Sequence, residues 1–304
     1  MHRIVSLIAS STEIVCRLGL RDQLFGVSHE CDYPDSVRSL TACSKPRIDI
    51  HGSSRDIDNR VKHALKDALS VYEVRQQELE AIEPTIIITQ TQCEVCAVNL
   101  SDVEAAVCDL LSSNPKIVSL EPNELKDIWA DIQRVADAAD VPERGQVLVA
   151  ELLAEVDTIR NTTRELDRPT VACIEWLEPL MAAGNWIPEL VDIAGGKNLF
   201  GEAGKHSPWM TWHEVLEADP DVIVTMPCGF DIQRTMEEIH LLTDRPEWGG
   251  LKAVREGRAF VSDGNAYFNR PGPRVVESVR ILTEVLHPNL FPPNFEGSGW
   301  IRID

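Results

Sequence analysis

Metal-competent and aromatic side chains crowd together early in the chain, where residues 29–33 read His-Glu-Cys-Asp-Tyr. An imidazole in such a run can ligate a metal, and carboxylates and a phenol can hold the polar groups of a ligand. The same residues also suit a polar turn that ends at Pro34. We predict that His29, Glu30 and Tyr33 contact a ligand, and we assign no metal ligand.

Hydroxyl side chains follow the first apolar segment, at Ser10, Ser11 and Thr12. Hydroxyls and unpaired N–H groups at the start of a helix can hold a polar or anionic group. The same side chains are typical helix caps. The pattern predicts a helix over 13–18 capped by Ser11 or Thr12, with Ser10 and Ser11 also available to a ligand.

A Cys-x-x-Cys pair, Cys93 and Cys96, follows the β-branched segment 85–89. One pair does not complete a zinc site, which usually needs four protein ligands. A redox pair at a helix start and small buried thiols are the alternatives. We predict that Gln92 and Cys93 contact the ligand, and that the scattered cysteines are reduced.

Aromatic residues are concentrated in the second half, since six of the seven tryptophans lie beyond residue 170. Rings placed after strands suit a large flat ligand, because they supply contact area at low entropic cost. The predicted ligand contacts of this half are Glu175, Trp176, Trp186, Trp209, Cys228, Phe268 and Arg270.

Catalysis would need a nucleophile and a base, such as Cys93 or Cys96 with His29 or His206. Nothing in the spacing brings these residues together, and the sequence holds no G-x-S-x-G, P-loop or G-x-G-x-x-G motif. We predict a protein that is not an enzyme, with no catalytic residues and no cofactor.

Charge and hydropathy argue against nucleic-acid-binding and membrane-spanning proteins. The 304 residues carry a formal net charge of −20, which disfavours nucleic acid and acidic membrane surfaces as partners. No stretch approaches the roughly 20 apolar residues of a membrane span, so no membrane insertion is expected. The apolar start ends at Ala9 without the features of a secretory signal, which predicts a cytoplasmic protein, or a periplasmic one whose signal was removed.

The elements that must position these residues alternate between short apolar strands and helices, which is typical of parallel sheets covered on both faces. Segment 78–89 resembles segment 214–225, each reading as helix end, acid-Pro and strand, which suggests two related α/β lobes. Between them, apolar residues recur at helical spacing and predict one long helix over 143–166. The predicted organisation is an N-terminal lobe 1–142, a linking helix 143–167 and a C-terminal lobe 168–304.

Four segments together resemble the cobalamin-binding, BtuF-like branch of the helical-backbone (class III) substrate-binding proteins of ABC importers: 6–14, 26–34, 183–190 and 267–274. The resemblance covers about residues 3 to 287. It implies an α/β fold of two Rossmann-like lobes with parallel sheets bridged by one long α-helix. It also implies that a corrinoid (cobalamin-like) ligand binds in the cleft between the lobes, without catalysis.

The resemblance implies an ABC transporter permease as partner, docked through one acidic residue on each lobe. The matching positions here are Gln77 and His213, which are not acidic, although Glu78 and Glu214 are adjacent. The alternative is a cytoplasmic corrinoid carrier or sensor, or an iron-siderophore- or haem-binding homologue that does not dock to a transporter. In each case the partner is a small-molecule metal chelate.

Overall fold

A computed structural model of the chain describes residues 1–66, 71–91 and 114–303. The chain divides into two compact units. Unit 1 comprises Met1–Gly52, Asp56–Pro122 and Lys126–Glu151, and unit 2 comprises Ser53–Arg55, Asn123–Leu125 and Leu152–Asp304. The domain boundaries at residues 142 and 168 remain a prediction.

The sheet of unit 1 is built from β1 (Ile4–Ser6), β2 (Leu24–Val27), β3 (Thr41–Ala42), β6 (Ile86–Gln90) and β7 (Lys116–Leu120). These strands are parallel and lie in the order β3-β2-β1-β6-β7. Both β1 and β6 are buried along their whole length, as apolar strands covered on both faces must be. Two further strands, β4 (Ser44–Pro46) and β5 (Tyr72–Val74), form a separate antiparallel pair.

Helices in the first half of the chain are α1 (Ala9–Arg17), α2 (Ser54–Lys66), α3 (Gln76–Ile82) and α4 (Leu125–Ala138). Short 3₁₀ turns lie at Arg21–Gln23 and Asp35–Val37. In the core, Val5 and Ile87 of the sheet pack with Leu79 of α3.

The sheet of unit 2 contains β8 (Thr170–Trp176), β9 (Met181–Ala182), β10 (Lys197–Asn198), β11 (Val222–Thr225), β12 (Ala259–Ser262) and β13 (Trp300–Arg302). Strands β10, β8, β11 and β12 are parallel neighbours in that order, which confirms the predicted parallel arrangement. Two antiparallel strands extend it: β13 pairs with β12, and β9 pairs with β8. The sheet is therefore mixed, with a parallel centre and an antiparallel edge strand.

The later helices of the described residues are α5 (Pro142–Thr163), α6 (Ile187–Ile193), α7 (Trp212–Ala218), α8 (Ile232–Glu238), α9 (His240–Thr243), α10 (Lys252–Arg255) and α11 (Val275–Leu286). A 3₁₀ turn lies at Trp248–Gly250 and a π-helical turn at Gly264–Phe268. None of the helices in the described ranges is long and apolar enough to cross a membrane.

The long helix predicted over 143–166 is α5, which runs for 22 residues, about 33 Å at 1.5 Å per residue. Its predicted apolar face comprises Leu148, Leu152, Val156 and Ile159. The first three are buried and Ile159 is half-buried. The assignment of residues to the two units changes within this helix, between Glu151 and Leu152.

The two echoing segments fold alike. Glu83 is the C-cap of α3 and Asp219 is the C-cap of α7, and both have left-handed backbone, with φ of 50° and 38°. A proline and a short buried strand follow in each case, β6 and β11. The repeated sequence pattern therefore encodes one local structure twice.

The predicted cap of α1 is wrong. The helix begins at Ala9 rather than Glu13, and among the described residues its N-cap Ile8 makes no side-chain capping bond. Ser11 and Thr12 lie inside the first turn, where their hydroxyls bond back to Ile8 O and to Ser6 Oγ. The apolar segment reaches only Ser6 as a strand, so the hydroxyl residues are helical.

Candidate functional site

The predicted site residues of unit 1 follow the carboxyl ends of parallel strands. Helix α1 starts three residues after β1, and His29 comes two residues after β2. Carboxyl ends of parallel strands meet at one edge of a sheet, which is where open α/β sheets bind ligands. Gln92 and Cys93, together with Cys96, lie outside the described residues.

A buried hydroxyl network occupies the edge at β1. Ser6 Oγ lies 2.6 Å from Ser11 Oγ and accepts from Thr12 Oγ1 at 2.7 Å. Thr12 Oγ1 is also 3.1 Å from Cys31 Sγ, which ties the network to the segment after β2. Ser10 is 1% exposed, and its Oγ has no hydrogen-bond partner within the described residues. The Ser11 hydroxyl is thus taken up by hydrogen bonds inside unit 1, whereas the Ser10 hydroxyl makes none with the described residues.

His29 is held by a serine that sequence analysis did not single out. Ser44, the first residue of β4, places its Oγ 2.8 Å from His29 Nδ1 and accepts from the His29 backbone N–H at 3.2 Å. The imidazole also packs against the Tyr72 ring, with centroids 5.0 Å apart. Burial, aided by the positive charge of Arg75, lowers the pKa of His29 to about 4. The ring is therefore neutral at neutral pH.

Glu30 and Tyr33 flank the buried Cys31 differently. Glu30 Oε1 accepts from the Tyr72 hydroxyl at 2.7 Å, so the pair His29–Glu30 is braced by one tyrosine of β5. Tyr33 is 45% exposed and presents its ring to solvent. The structure thus brings three predicted residues of one motif together but gives only Tyr33 a largely open surface.

In unit 2 the predicted residues also lie at strand ends. Glu175 and Trp176 form the end of β8 itself, because that strand runs two residues further than predicted. Cys228 follows β11, and its backbone N–H donates to Glu175 O at 3.1 Å. Glu175 Oε1 also accepts from Ser207 Oγ at 2.9 Å, and Ser207 Oγ accepts from Gly184 N. Glu175 thus links the end of β8 to Ser207 through its carboxylate and to Cys228, after β11, through its backbone carbonyl.

A ring pair involves Trp176, the last residue of β8. The Trp176 and Phe230 rings have centroids 5.2 Å apart, and the guanidinium of Arg234 sits 4.2 Å from the Phe230 centroid. Arg234 also pairs with Glu238 on the next turn of α8. Phe230 and Arg234 were missed as site residues. The sequence signal for Phe230 was its position just after β11, the rule that selected Cys228.

The aromatic residues predicted to cover the ligand fall into two groups. Trp186 and Phe268 are buried, with Trp186 Nε1 donating to Phe268 O at 3.2 Å, and Arg270 is buried beside Asn265. Trp209, by contrast, is 55% exposed. Its chain segment is tied to the β9 region by Ala182 N to Pro208 O and Met210 N to Leu180 O, at 2.9 and 3.0 Å. Trp209 is thus an exposed ring on a well-held backbone.

The two positions aligned with importer docking carry Gln77 on α3 and His213 on α7. The neighbouring Glu214 is engaged locally, since it accepts from Thr211 N and Thr211 Oγ1 in a capping box. These bonds lower the pKa of Glu214. The Glu214 carboxylate therefore caps the N-terminus of α7.

Comparison with known proteins agrees with this architecture. A family model described as periplasmic binding protein matches residues 4–266. A vitamin B12-binding protein of Vibrio parahaemolyticus is 21% identical over 294 residues, covering 92% of this chain and 87% of the relative. An uncharacterized ABC transporter substrate-binding lipoprotein of Bacillus subtilis, YvrC, is 20% identical, covering 95% and 81%.

Among solved structures, the periplasmic heme-binding protein RhuT from Roseiflexus sp. RS-1 in apo form superposes with a TM-score of 0.70 at 21% identity. The superposition covers 95% of this chain and 98% of RhuT. At this identity the likeness establishes the fold, and it confirms the predicted α/β class.

The predicted cytoplasmic location is wrong. YvrC is named as a lipoprotein and RhuT as a periplasmic protein, which points to the periplasm or the cell surface. The prediction relied on the first residues of the chain, and these do not decide the compartment, because a secretory leader is removed from a mature protein.

The parallel sheets of the two units, a matching solved fold and a family model over residues 4–266 lead to one assignment. The chain belongs to the periplasmic binding protein family.

Proposed function

We propose that this protein binds a corrinoid, without chemical turnover, as the substrate-binding protein of an ABC-type importer. The observation that carries the proposal is the alignment of nearly the whole chain with vitamin B12-binding relatives. The strand ends of the two units supply the chemistry that such a ligand needs, which is contact area for the macrocycle and polar partners for its amide side chains.

Trp209 is the main source of contact area in this proposal, because it is the most exposed of the predicted aromatic contacts. Trp176, at the end of β8, and Phe230, which follows β11, add a second ring surface. Aromatic rings bury a large area with few rotatable bonds, so they suit a flat macrocycle. Trp186 and Phe268 are buried in unit 2, where Trp186 Nε1 donates to Phe268 O.

Polar partners are the second requirement, because each buried amide left unpaired costs about 1–3 kcal/mol. Unit 1 contributes Ser10, His29 and Tyr33 to the proposed contacts, and unit 2 contributes Glu175 and Arg270. Gln92 and Cys93 remain part of the proposed set. The net charge of −20 does not favour an anionic ferric siderophore over a corrinoid.

Haem is the second candidate ligand, favoured by the neutral imidazole of His29 and by the fold shared with a periplasmic heme-binding protein. An importer permease is the proposed macromolecular partner. In unit 2 the acidic residue beside the docking position is Glu214, whose carboxylate already accepts hydrogen bonds from Thr211. This argues against docking through Glu214.

The test is a titration followed by absorbance and calorimetry with cyanocobalamin, haemin and a ferric hydroxamate siderophore. We expect saturable one-to-one binding of cyanocobalamin, with quenching of tryptophan fluorescence. Binding of haemin alone would transfer the proposal to haem. If none of the three gives heat or a spectral change at about 100 μM protein, where even micromolar affinities are visible, the proposal is wrong.

A further inference from the structure

The hydrogen bonds around His29 define which ring nitrogen carries the proton. Ser44 Oγ accepts from the His29 backbone N–H and donates its single proton to Ser28 Oγ, which lies 3.1 Å away. A hydroxyl has only one proton to give. The 2.8 Å contact between Ser44 Oγ and Nδ1 therefore requires the proton to be on Nδ1. The network thus assigns a neutral imidazole whose lone pair is on Nε2.

That lone pair is unused. His29 Nε2 is shielded from solvent and accepts no hydrogen bond from the residues that the structure describes. A buried acceptor without a partner is normally destabilising. The chain nevertheless holds the ring in place, through Ser44 on one side and the Tyr72 ring on the other. Because burial lowers the pKa of His29 to about 4, protons do not compete for Nε2 at neutral pH.

A fixed tautomer, a held ring and a lone pair without a partner are the features of a histidine that ligates a metal. Histidines that ligate metals usually donate the second ring N–H to a protein oxygen, which fixes the tautomer and the ring direction. A chelated metal brings its own equatorial donors, so one protein nitrogen is enough to fill an axial position. We propose that His29 Nε2 is an axial ligand to the metal ion of the bound chelate, an inference that rests on the proposed function and deepens it.

The binding step is a ligand exchange. The Nε2 lone pair forms a bond to the metal, and the bond between the metal and its axial water breaks. The water leaves neutral, Nδ1 keeps its proton, and the oxidation state of the metal does not change. Because Nε2 is shielded, the ring or its cover must move first, so coordination follows the initial encounter as a slower phase.

The experiment uses diaquocobinamide, a corrinoid without a lower base whose axial waters can be exchanged. We expect wild-type protein to shift its visible bands to those of a nitrogen-ligated cobalt in a second, slower kinetic phase. The variant His29→Ala should retain binding within about tenfold but lose the band shift and the slow phase. Free imidazole should restore the shift in His29→Ala, because it can occupy the vacated position.

Two variants control the result. His213→Ala removes a histidine that is exposed on α7 and should leave the band shift unchanged. Ser44→Ala keeps the imidazole but removes the acceptor of Nδ1–H, so we expect a weakened shift and a smaller slow phase. Cyanocobalamin has both axial positions filled, so its bound spectrum should not depend on His29.

The outcomes separate the inference from the function on which it rests. If diaquocobinamide binds and His29→Ala, with an unchanged near-ultraviolet circular dichroism spectrum, shows the same band shift, axial ligation by His29 is wrong and corrinoid binding survives. If the wild type binds neither diaquocobinamide nor cyanocobalamin nor haemin, the proposed function and this inference both fail.

Discussion

The two units place different chemistry at the carboxyl ends of similar sheets. In unit 1, short hydroxyls bond to one another and a neutral imidazole is held by Ser44. In unit 2, aromatic rings dominate, and side-chain-to-backbone hydrogen bonds such as Trp186 Nε1 to Phe268 O hold them. Hydroxyls and an imidazole offer directional bonds, whereas rings offer area. The two units thus share one α/β architecture, but unit 1 offers directional hydrogen bonds and unit 2 offers aromatic contact area.

Within unit 2, two aromatic residues differ in burial: Phe268 is fully buried, whereas Trp209 is 55% exposed. We expect Phe268→Ala to lower the free energy of unfolding by about 3–5 kcal/mol, the usual loss for a large cavity in a core. Denaturant unfolding measures this. Trp209→Ala is the matched control and should keep the wild-type midpoint. Equal stability of Phe268→Ala and wild type would show that the Phe268 ring is not a core element.

Trp209 should show the reverse behaviour. Trp209→Ala is expected to weaken cyanocobalamin binding by about 1–3 kcal/mol, the range for truncating a central aromatic contact. Calorimetric titration gives the value, and Trp209→Phe, which keeps a ring, should recover most of it. Unchanged affinity in Trp209→Ala would remove this ring from the proposed site.

The two units also contain carboxylates that respond to pH in opposite ways. In unit 2, Asp221 accepts from Thr170 N, Thr170 Oγ1 and Lys252 Nζ at 2.7, 2.8 and 2.5 Å. Partial burial alone would raise the pKa of Asp221, but these bonds outweigh it and lower the pKa to about 2. The group therefore stabilises the fold above about pH 4, and this contribution is lost as the pH falls toward 2.

We expect Asp221→Asn to reduce the free energy of unfolding at pH 7 by about 2 kcal/mol. The difference from wild type should shrink as the pH is lowered from 4 to 2, since the wild-type carboxyl then takes up its proton. Urea unfolding at a series of pH values provides the measurement. A difference that is independent of pH would mean that the lost bonds do not depend on the charge of Asp221.

In unit 1, Asp131 is buried on α4, where its Oδ2 accepts from Glu121 N at 3.1 Å and its Oδ1 pairs with Arg134. Burial raises the pKa of Asp131 to about 7 despite these partners. The native state then binds a proton that the unfolded state has released, so stability falls as the pH rises from about 4 to 7.

The smallest expected effect follows from that sign. Asp131→Asn keeps an acceptor for Glu121 N but carries no charge, so the stability of the variant should not fall as the pH rises. The variant also loses the ion pair with Arg134, which offsets most of the gain, so we expect it to be more stable than wild type by about 1 kcal/mol at pH 8. At pH 4 the two proteins should be nearly equal in urea unfolding. A variant that is less stable at pH 8 would show that the Arg134 pair outweighs the burial of the charge.

Much of the fold follows from local sequence patterns. The β-branched run before Gln90 and the run Val222–Thr225 are strands β6 and β11, and the acid-Pro step before each has the same backbone. The apolar spacing of Leu148, Leu152 and Val156 identified α5. These features depend on side-chain period and on the restricted backbone near proline, which neighbouring residues along the chain largely determine.

Helix ends were harder to predict. Ser11 and Thr12 have the chemistry of caps, yet they lie inside α1 and bond to Ile8 O and Ser6 Oγ. The burial of the whole first turn favours extending the helix to Ala9, and burial is a property of the folded unit. A local sequence pattern does not show whether capping or packing determines where a helix begins.

The sequence alone determined the α/β class, the repeated strand pattern and the family, because these depend on periodicity and on motifs that are continuous in the chain. Only the tertiary structure decided which site residues are accessible and in which chemical state. Trp209 and Phe268 are both aromatic residues near strand ends, but packing exposes one and buries the other. Ser44 and Tyr72 reach His29 across 15 and 43 residues of sequence, so the protonation of that ring is set by contacts that no local pattern contains.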